Sequence, residues 1–298
     1  MLESRIGEVA AIGTALLWSL TYVQFTVAVR RIGPSAVNRL RLLFALVLLI
    51  GAHCLFFRTP LPFGAEPAQW GWLALSGVIG FAISDALLFR AFFHIGAHRT
   101  SLVMSLVPLA SALMAWGAFG QRMSPAQIGA GLLTVAGIAL VVSSRRRSPT
   151  ISSQVTLGVF FALGAVAAQS ARYILSVQGM RGGLPPLSAN VLQILAATVA
   201  VWAVALARQK GPSSFRGLRD PVAAGTTVGG AVSGPFLGVT LSLVALARAP
   251  VGVASTLMAL TPVLLLPVSR FVFKEPITVR AIAGTALAVS GVALLFLL

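Results

Sequence analysis

The chain has 298 residues, of which 57% are hydrophobic and only 9% are charged. A soluble globular protein carries about 25% charged residues, so this sequence has too little charge to cover a surface that faces water. The formal net charge of +16 does not indicate a nucleic-acid partner, because the basic residues stand singly or in small clusters between apolar runs, as charges that flank membrane spans do.

Ten apolar stretches follow one another along the chain, separated by short connections. They predict membrane spans at 8–28, 36–57, 70–91, 99–118, 125–143, 155–177, 187–207, 221–245, 251–270 and 278–297. A helix needs about 20 apolar residues to cross the hydrocarbon core, and the strands of a barrel would be about 10 residues long with alternating polarity, which is absent here. The predicted fold class is an all-α membrane protein with ten transmembrane helices. The first stretch runs into Arg30 and Arg31 without a small-residue cleavage pattern, so we interpret it as a span rather than a signal peptide.

Basic residues are distributed unevenly between the two sets of alternate loops. One set and its flanks hold sixteen: Arg30, Arg31, Arg39, Arg41, Arg90, Arg99, Arg145, Arg146, Arg147, Arg208, Lys210, Arg216, Arg219, Arg270, Lys274 and Arg280. The other set, with both termini, holds five: Arg5, Arg58, Arg122, Arg181 and Arg248. Because positive residues favour the cytoplasmic side, we expect a multi-pass protein of the bacterial inner membrane with both termini in the periplasm.

The second half of the sequence repeats the first. With an offset of 154, residues 97–141 match 251–295 at 11 of 45 positions, including Pro108 with Pro262. Further upstream, an offset of 152 places Arg41 over Gln193. We therefore predict two five-helix repeats, residues 1–148 and 149–298. An odd number of helices makes the second repeat enter the membrane from the opposite side, and such inverted repeats recur in secondary transporters.

Four stretches carry a family resemblance. They are AIGTALLWS at Ala11–Ser19, RLLFAL at Arg41–Leu46 after Pro34, ASTLMALTP at Ala254–Pro262 and FKEP at Phe273–Pro276. The sequence resembles the drug/metabolite transporter superfamily and, within it, the EamA-type exporters. The resemblance covers the whole chain and implies a ten-helix, inverted-repeat fold around a central cavity, with export of amino acids or other small metabolites. Gln121 stands where these families often have a glutamate like Glu275, a change we expect to affect stability more than substrate choice.

Ionisable residues inside the predicted spans are candidates for function, because a charge at a helix centre costs about 2.5–3.5 kcal/mol on insertion scales. Asp85 has two interpretations: a salt bridge with Arg90 or with a neighbouring helix, or a carboxylate that carries protons or binds a substrate amine. Arg172 is the matching cation of the sixth span. It neutralises Asp85, holds a substrate carboxylate, or extends to the interface as long basic side chains do.

Other polar and aromatic residues inside the spans complete the candidate site. Trp18, Ser19 and Tyr22 are interpreted as one face of the first span, with Gln169 opposite Trp18 in the repeat; such aromatic walls suit amino-acid-sized substrates or simply pack. Tyr173 adjoins Arg172. Two further groups are Asn190 and Gln193, a stripe for interhelical hydrogen bonds or for substrate, and Pro108 and Pro262, candidate hinges for alternating access.

The chemistry predicted is transport rather than catalysis. His94 and His98 have metal-pair spacing but no acid or cysteine nearby in sequence, and the single Cys54 excludes a multi-cysteine site, so we expect no metal and no cofactor. The sequence lacks the motifs of hydrolases, zinc proteases and nucleotide-binding folds. We predict a secondary exporter of amino acids or related metabolites, driven by the substrate gradient or by protons. A drug or sugar-phosphate transporter, a membrane enzyme of lipid metabolism and a passive channel are the alternatives. Expected partners are a small-molecule substrate, protons and the lipid bilayer, with monomer and homodimer both open.

Overall fold

The computed structural model describes residues 2–119, 124–143, 149–209, 211–249, 254, 257–273 and 278–297. Within these ranges the chain forms helices joined by short connections and contains no strand. Gln121 and Glu275, the pair of polar turn residues in the sequence repeat, lie outside the described residues.

The described helices form ten membrane segments, α1 to α10. The first repeat contains α1 (Leu2–Ile32), α2 (Pro34–Phe57), α3 (Pro67–Gly77 and the π-helix Val78–Ser84), the helix Asp85–Met104 that ends α3 and begins α4, the remainder of α4 (Val107–Phe119) and α5 (Pro125–Ser143). The second repeat contains α6 (Pro149–Gly179), α7 (Pro186–Ala207), α8 (Pro221–Ala231, the π-helix Val232–Gly238 and Val239–Arg248), α9 (Thr261–Phe273) and α10 (Val279–Leu297). A short helix, Gly211–Arg216, connects α7 to α8.

Length and apolar surface identify these helices as membrane segments. Among the described residues, six helices are long and apolar enough to cross a bilayer, and Pro125–Val141 and Val279–Leu294 are shorter apolar helices. Large apolar side chains such as Phe160 and Phe271 are 70% and 81% exposed, which suits contact with lipid and not with water. The prediction of an all-α membrane protein is confirmed.

Two glycines allow consecutive segments to follow each other almost without a loop. Gly33 has a φ of 82° between α1 and α2, and Gly96 has a φ of 77° where α3 gives way to α4. Glycine adopts a positive φ without the steric penalty that a Cβ atom brings. Pro34 then occupies the first turn of α2, where its missing N–H removes no helical hydrogen bond.

Each repeat packs on the other rather than on itself alone. Helix α1 packs against α8 and α9, and α6 packs in the same way against α3 and α4. Equivalent helices of the two repeats also pack together, α2 with α7 and α5 with α10. Since each repeat has five helices, the two are inverted relative to the membrane. The first helix of each repeat packs on the third and fourth helices of the other, so the repeats interlock around a common centre.

Irregular turns occur at matching places in the two repeats. The π-helices Val78–Ser84 and Val232–Gly238 are separated by the offset of 154 found in the sequence. The same offset relates the breaks in α4 at Ser105–Leu106 and before α9 at Ala259–Leu260. The irregularities are therefore part of the repeated unit. The division at residues 148 and 149 stays a prediction, because 144–148 lie outside the described residues.

An exposed ion pair closes the connection at the start of α8. Asp220 caps this helix, since its Oδ1 accepts hydrogen bonds from the backbone N–H groups of Val222 and Ala223. Its Oδ2 lies 2.8 Å from Nη1 of Arg31 at the end of α1. The Ala223 N–H and the Arg31 guanidinium hold the pKa of the Asp220 carboxyl below its usual value.

Candidate functional site

A cavity lies where the two repeats meet, between α1, α2, α3, α4, α6, α8 and α9. Its volume is about 110 Å³, room for several water molecules at roughly 10–15 Å³ each. Seven aromatic side chains form much of its wall: Trp18, Tyr22, Phe25, Phe81, Phe89, Phe92 and Tyr173. It is therefore an apolar chamber with a few polar groups, as small-molecule sites usually are.

Most of the residues predicted from the sequence line this cavity. Those that do are Trp18, Tyr22, Asp85, Pro108, Gln169, Arg172, Tyr173 and Pro262. Ser19, Asn190 and Gln193 are absent from the lining. The Ser19 hydroxyl donates to the Leu16 carbonyl of its own helix, at 2.8 Å. The expectation that Ser19 shares a face with Trp18 was wrong, because adjacent residues of a helix do not face the same side.

A buried ion pair stands at the cavity wall. Arg41 Nη2 lies 2.6 Å from Asp85 Oδ2, and the two side chains are 2% and 15% exposed. The Arg41 guanidinium also donates to Asn38 Oδ1 through Nε and Nη2, and to the Phe81 carbonyl at 3.1 Å. Two oxygens besides the carboxylate thus help to compensate for removing the guanidinium from water.

The partner of Asp85 decides between two alternatives and corrects one assignment. Of the salt-bridge partners that the sequence left open, Arg90 or a neighbouring helix, the structure has the neighbouring helix α2. Arg90, five residues further along, points to a different side of the helix, with its guanidinium 5.4 Å from the Phe161 ring centroid. Arg41 was counted with the basic residues that flank the loops, yet it is buried next to the cavity. The orientation bias therefore rests on the remaining fifteen residues of that set against five.

Arg172 is the second buried cation of the cavity and is 1% exposed. Its Nη2 donates to Gln193 Oε1 at 3.2 Å, and its guanidinium carbon stands 4.3 Å from the centroid of the Phe81 ring. Its Nε has no hydrogen-bond partner in the described part of the chain. The interpretation that Arg172 extends to the interface is wrong, because its side chain ends inside the bundle.

Small residues make room for Arg172. A Cβ atom at Gly80 would lie 1.9 Å from Cδ of Arg172, so only glycine fits there without moving the arginine. The Phe81 ring is shared by both cations, with the Arg41 guanidinium carbon 5.8 Å from its centroid. Contacts between a guanidinium and an aromatic face contribute about 0.5–2 kcal/mol, most when water is excluded.

The polar stripe of α7 supports the site from behind. Gln193 Nε2 donates to the Ser176 hydroxyl, which in turn donates to the carbonyl of Arg172. Asn190 Nδ2 donates to the Pro235 carbonyl at 2.8 Å and to Thr240. Of the two interpretations of this stripe, the described contacts are those of interhelical hydrogen bonding.

The two candidate hinge prolines occupy equivalent places. Each lies at the second position of a helix that restarts after a two-residue turn: Pro108 in Val107–Phe119 and Pro262 in Thr261–Phe273. Both prolines line the cavity. A proline in the first turn of a helix costs no hydrogen bond, so each helix restarts beside the cavity without losing one at the proline.

Several residues of the site were missed from the sequence. Arg41 was assigned to a loop flank, and Asn38 and Phe81 were not considered. One signal was present, since the offset that places Arg41 over Gln193 also places Asn38 over Asn190. The second residue of each pair belongs to the predicted polar stripe of α7, so the repeat indicates a polar pair at Asn38 and Arg41 as well.

Comparison with protein families gives one match over both halves of the chain. The model of the family described as the EamA-like transporter family matches residues 5–143 and 156–297. A solved crystal structure is similar over 97% of this chain and 95% of that chain, with a TM-score of 0.63 and 19% sequence identity. At this identity the similarity shows the fold alone.

Two curated relatives match a short stretch. Probable 4-amino-4-deoxy-L-arabinose-phosphoundecaprenol flippase subunit ArnE of Pseudomonas paraeruginosa is 49% identical over 59 residues, 20% of this chain and 51% of the relative. The protein of the same name from Pseudomonas fluorescens is 43% identical over 58 residues, with the same coverage of 20% and 51%. The chain thus spans about half the length of the curated relatives it matches.

Proposed function

Since the chain belongs to the EamA-like transporter family, we propose that it exports a small metabolite with a carboxylate group, such as an amino acid, by alternating access. The observation that carries this proposal is the guanidinium of Arg172, a residue that lines the cavity and whose buried Nε has no partner among the described residues. An unpaired buried donor costs free energy, and a movement of this guanidinium towards a substrate carboxylate would satisfy it. The guanidinium suits a carboxylate better than an ammonium would.

The charge of the cavity favours the same class of substrate. Arg41, Arg172 and Asp85 together carry a formal charge of +1, so an anionic group enters with favourable electrostatics. The aromatic wall accommodates an apolar side chain. A substrate ammonium would approach the part of the Asp85 side chain that remains exposed, 15% of its surface.

Asp85 is the proposed coupling residue. Its carboxylate is held by Arg41 in the state described, and protonation would weaken that pair and release the guanidinium. Proton-coupled export then requires Asp85, while exchange driven by the substrate gradient does not. Transport by the Asp85→Asn variant that equals the wild type at every pH would remove Asp85 from the mechanism.

Pro108 and Pro262 are proposed as the hinges of alternating access. Each follows a break between helices beside the cavity, and the two are related by the repeat, so equivalent movements would open opposite sides. The Pro108→Ala/Pro262→Ala variant should bind substrate with unchanged affinity and transport it several-fold more slowly. Unchanged transport rates would argue against a hinge role.

The test of the proposed function is uptake of labelled amino acids into proteoliposomes, with and without a pH gradient. We compare the wild type with Arg172→Gln, Arg172→Lys and the control Arg181→Gln, an exposed arginine in the loop after α6. Transport should fall at least about 100-fold in Arg172→Gln, because a charge-assisted contact contributes about 1.5–3 kcal/mol and its loss also leaves the substrate anion unpaired. It should recover in part in Arg172→Lys and stay unchanged in the control.

Two outcomes would contradict the proposal. Flux of a carboxylate substrate through Arg172→Gln at the wild-type rate would exclude Arg172 as the anchor. Absence of flux for every amino acid, with flux of uncharged drugs or sugar phosphates instead, would assign the cavity to one of the alternative substrates.

A second candidate function comes from the two similar flippase subunits. Their name describes movement of an aminosugar linked through phosphate to undecaprenol, and 49% identity over 59 residues favours testing this for part of the chain. A fluorescent polyprenyl-phosphate sugar in the same proteoliposomes separates the two functions. Translocation of the lipid without amino-acid flux would favour the second.

The proposed location is the bacterial inner membrane with both termini in the periplasm, as the basic residues at alternate loops suggest. A reporter fused after Leu298 that is active only in the periplasm should give signal. A cytoplasmic signal would reverse the orientation but leave the proposed substrate site unaffected, since the cavity lies at the centre of the bundle.

A further inference from the structure

A second cavity lies on the outside of the bundle, between α2, α3 and α7. This outer groove has a volume of about 490 Å³, and it is lined by basic residues at its rim and by small apolar residues, among them Ala82, Ala86 and Val201. It is separate from the central cavity, and nothing in the proposed transport function uses it. Its shape is that of a cleft between transmembrane helices.

Three arginines surround the outer groove: Arg39 on α2, Arg90 on α3 and Arg208 at the end of α7. Arg39 is held in place by a hydrogen bond from its Nε to the Ser214 hydroxyl at 2.6 Å. Among the described residues, those that line the groove include no aspartate or glutamate. The lining of the groove therefore carries a net positive charge, which favours an anionic occupant.

The start of α2 adds backbone donors to the arginines. Pro34 and Ser35 lie at the groove, and the first helical hydrogen bond of α2 runs from the Val37 N–H to the Gly33 carbonyl. The N–H groups of the first turn before Val37 have no intrahelical acceptor, and the helix dipole makes this end positive. An anion at this place would contact both the helix terminus and the arginines.

The opposite part of the groove faces the hydrocarbon. Ile83 is 50% exposed and Val204 is 53% exposed, and both belong to helices that cross the bilayer. The rim lies where α2 begins and α7 ends, which is the level of the lipid headgroups. A free phosphate ion would leave this apolar floor unfilled, whereas an acyl chain would cover it.

We propose that the outer groove binds an anionic phospholipid, with its phosphate between Arg39, Arg90 and Arg208 and an acyl chain along Ala82 and Ala86. Basic pockets between transmembrane helices are a general means of holding anionic headgroups. The basic residues also place this rim on the side of the membrane that the loop charges assign to the cytoplasm, where anionic lipids are plentiful.

One residue connects the outer groove with the central cavity. Asn38 lines the groove, and its Oδ1 accepts both hydrogen bonds from Arg41, the partner of Asp85. A bound lipid therefore packs against the residue that orients the buried ion pair. Occupancy of the groove should stabilise α2 against α3 and α7.

The experiment measures lipid retention by native mass spectrometry of the full-length protein, released from detergent with phosphatidylglycerol or with phosphatidylcholine of the same acyl chains. The wild type should retain phosphatidylglycerol and lose phosphatidylcholine. The Arg90→Gln/Arg208→Gln variant should bind phosphatidylglycerol roughly 25-fold more weakly, since each arginine near an anionic lipid contributes a factor of about five.

The matched control removes the same charge at the same end of the molecule. Arg216→Gln/Arg219→Gln lies outside the groove and should bind phosphatidylglycerol as the wild type does. Arg90→Lys/Arg208→Lys should retain most of the affinity, and Ala86→Leu, which fills the floor without changing charge, should lose it. The thermal midpoint without added lipid shows whether each variant is folded.

The proposal is overturned by any of three results. These are equal retention of both lipids by the wild type, equal loss in the groove variant and its control, and full displacement of phosphatidylglycerol by inorganic phosphate. The last result would assign the site to a free anion. Because each readout is lipid binding and not transport, failure of this proposal leaves the proposed export function untouched, and the reverse also holds.

Discussion

The two repeats share a local arrangement, in which a polar side chain of one helix donates to a carbonyl in the π-helix of the next. They differ in which side chains occupy it. In the first, Arg41 of α2 donates to the carbonyl of Phe81 in the π-helix of α3; in the second, Asn190 of α7 donates to the carbonyl of Pro235 in the π-helix of α8. The difference lies in the charges. Gln193 occupies the place of Arg41, and by the offset of 154 a valine occupies the place of Asp85.

This comparison separates packing from function. The second repeat packs its helices with neutral residues at both positions, so the buried ion pair is not required by the shared arrangement. Burying two charges costs several kcal/mol of desolvation each, which their attraction only partly offsets. We infer that the first repeat keeps Arg41 and Asp85 for the chemistry of the cavity, and the following predictions test that inference.

The largest effect is expected from breaking the ion pair. Arg41→Gln leaves the Asp85 carboxylate buried without its partner and should lower the free energy of unfolding by about 3–5 kcal/mol. Arg41→Gln/Asp85→Val, which gives the first repeat the residues of the second, should recover most of that stability and still lack transport. The measurement is unfolding in mixed micelles together with proteoliposome flux. A double variant no more stable than the single one would show that the pair serves packing.

The paired glycines of the two π-helices should respond unequally. A Cβ atom at Gly80 would lie 1.9 Å from Arg172 Cδ, and one at Gly234 would lie 2.7 Å from Thr21 Cγ2. We expect Gly80→Ala to cost about 1–3 kcal/mol, as overpacking does, and to reduce transport at least about tenfold by displacing Arg172. Gly234→Ala moves only a methyl group and should have the smaller effect on transport.

The same offset supplies matched controls for the glycine variants. Gly71 and Gly225 are equivalent residues of the two repeats, and a Cβ atom at either would meet nothing within 4 Å. Alanine at these positions should leave flux and thermal stability unchanged. Equal losses at Gly71 and Gly80 would mean that helix flexibility, and not the position of Arg172, decides the result.

The equivalent asparagines should differ by a smaller amount. Asn38 accepts from a charged guanidinium, whereas Asn190 donates to a carbonyl and a hydroxyl. Asn38→Ala should cost about 1.5–3 kcal/mol and Asn190→Ala about 0.5–1.5 kcal/mol, because hydrogen bonds to charged groups are the stronger ones. Thermal unfolding of both variants in the same lipid gives the comparison. A larger loss of stability in Asn190→Ala than in Asn38→Ala would contradict the prediction that the first repeat has the stronger hydrogen bonds.

The smallest effect is expected outside the membrane, at the ion pair of Asp220 with Arg31. The folded protein holds the pKa of this carboxyl below its usual value, so its contribution to stability is complete above the unfolded pKa of about 4 and is lost as the pH falls through the folded pKa. Asp220→Asn keeps a capping oxygen and removes the charge. Its small deficit in thermal midpoint at pH 7 should shrink below about pH 4; a deficit that is independent of pH would assign the effect to the cap.

Some of the candidate site followed from local sequence patterns. Trp18 and Tyr22 are four residues apart on one helix, so they share a face, and both line the cavity. Ser19 was placed on that face wrongly, because it is the immediate neighbour of Trp18. The two interpretations of Asn190, interhelical hydrogen bonding and substrate contact, differ only in what lies opposite α7. The sequence of α7 alone does not specify that.

Arg41 shows why the remainder could not be predicted. In the sequence it stands among arginines near a short loop, where basic residues usually mark the membrane boundary. Its burial depends on an oxygen of Phe81 and the carboxylate of Asp85, which another helix brings to it across 40 and 44 residues. Such distances depend on helix packing and leave no periodic pattern in the chain.

The sequence by itself determined the membrane class, the number of spans and the repeat. These follow from the length of the apolar runs and from the spacing of Pro and Gly residues along the chain. Both signals can be read without knowing which residues meet in space. Only the tertiary structure decided which charges meet, that Arg172 ends inside the bundle, and that a basic groove lies outside it. The physical reason is that a charge inside a membrane is stabilised by its neighbours in space, and those neighbours come from both repeats.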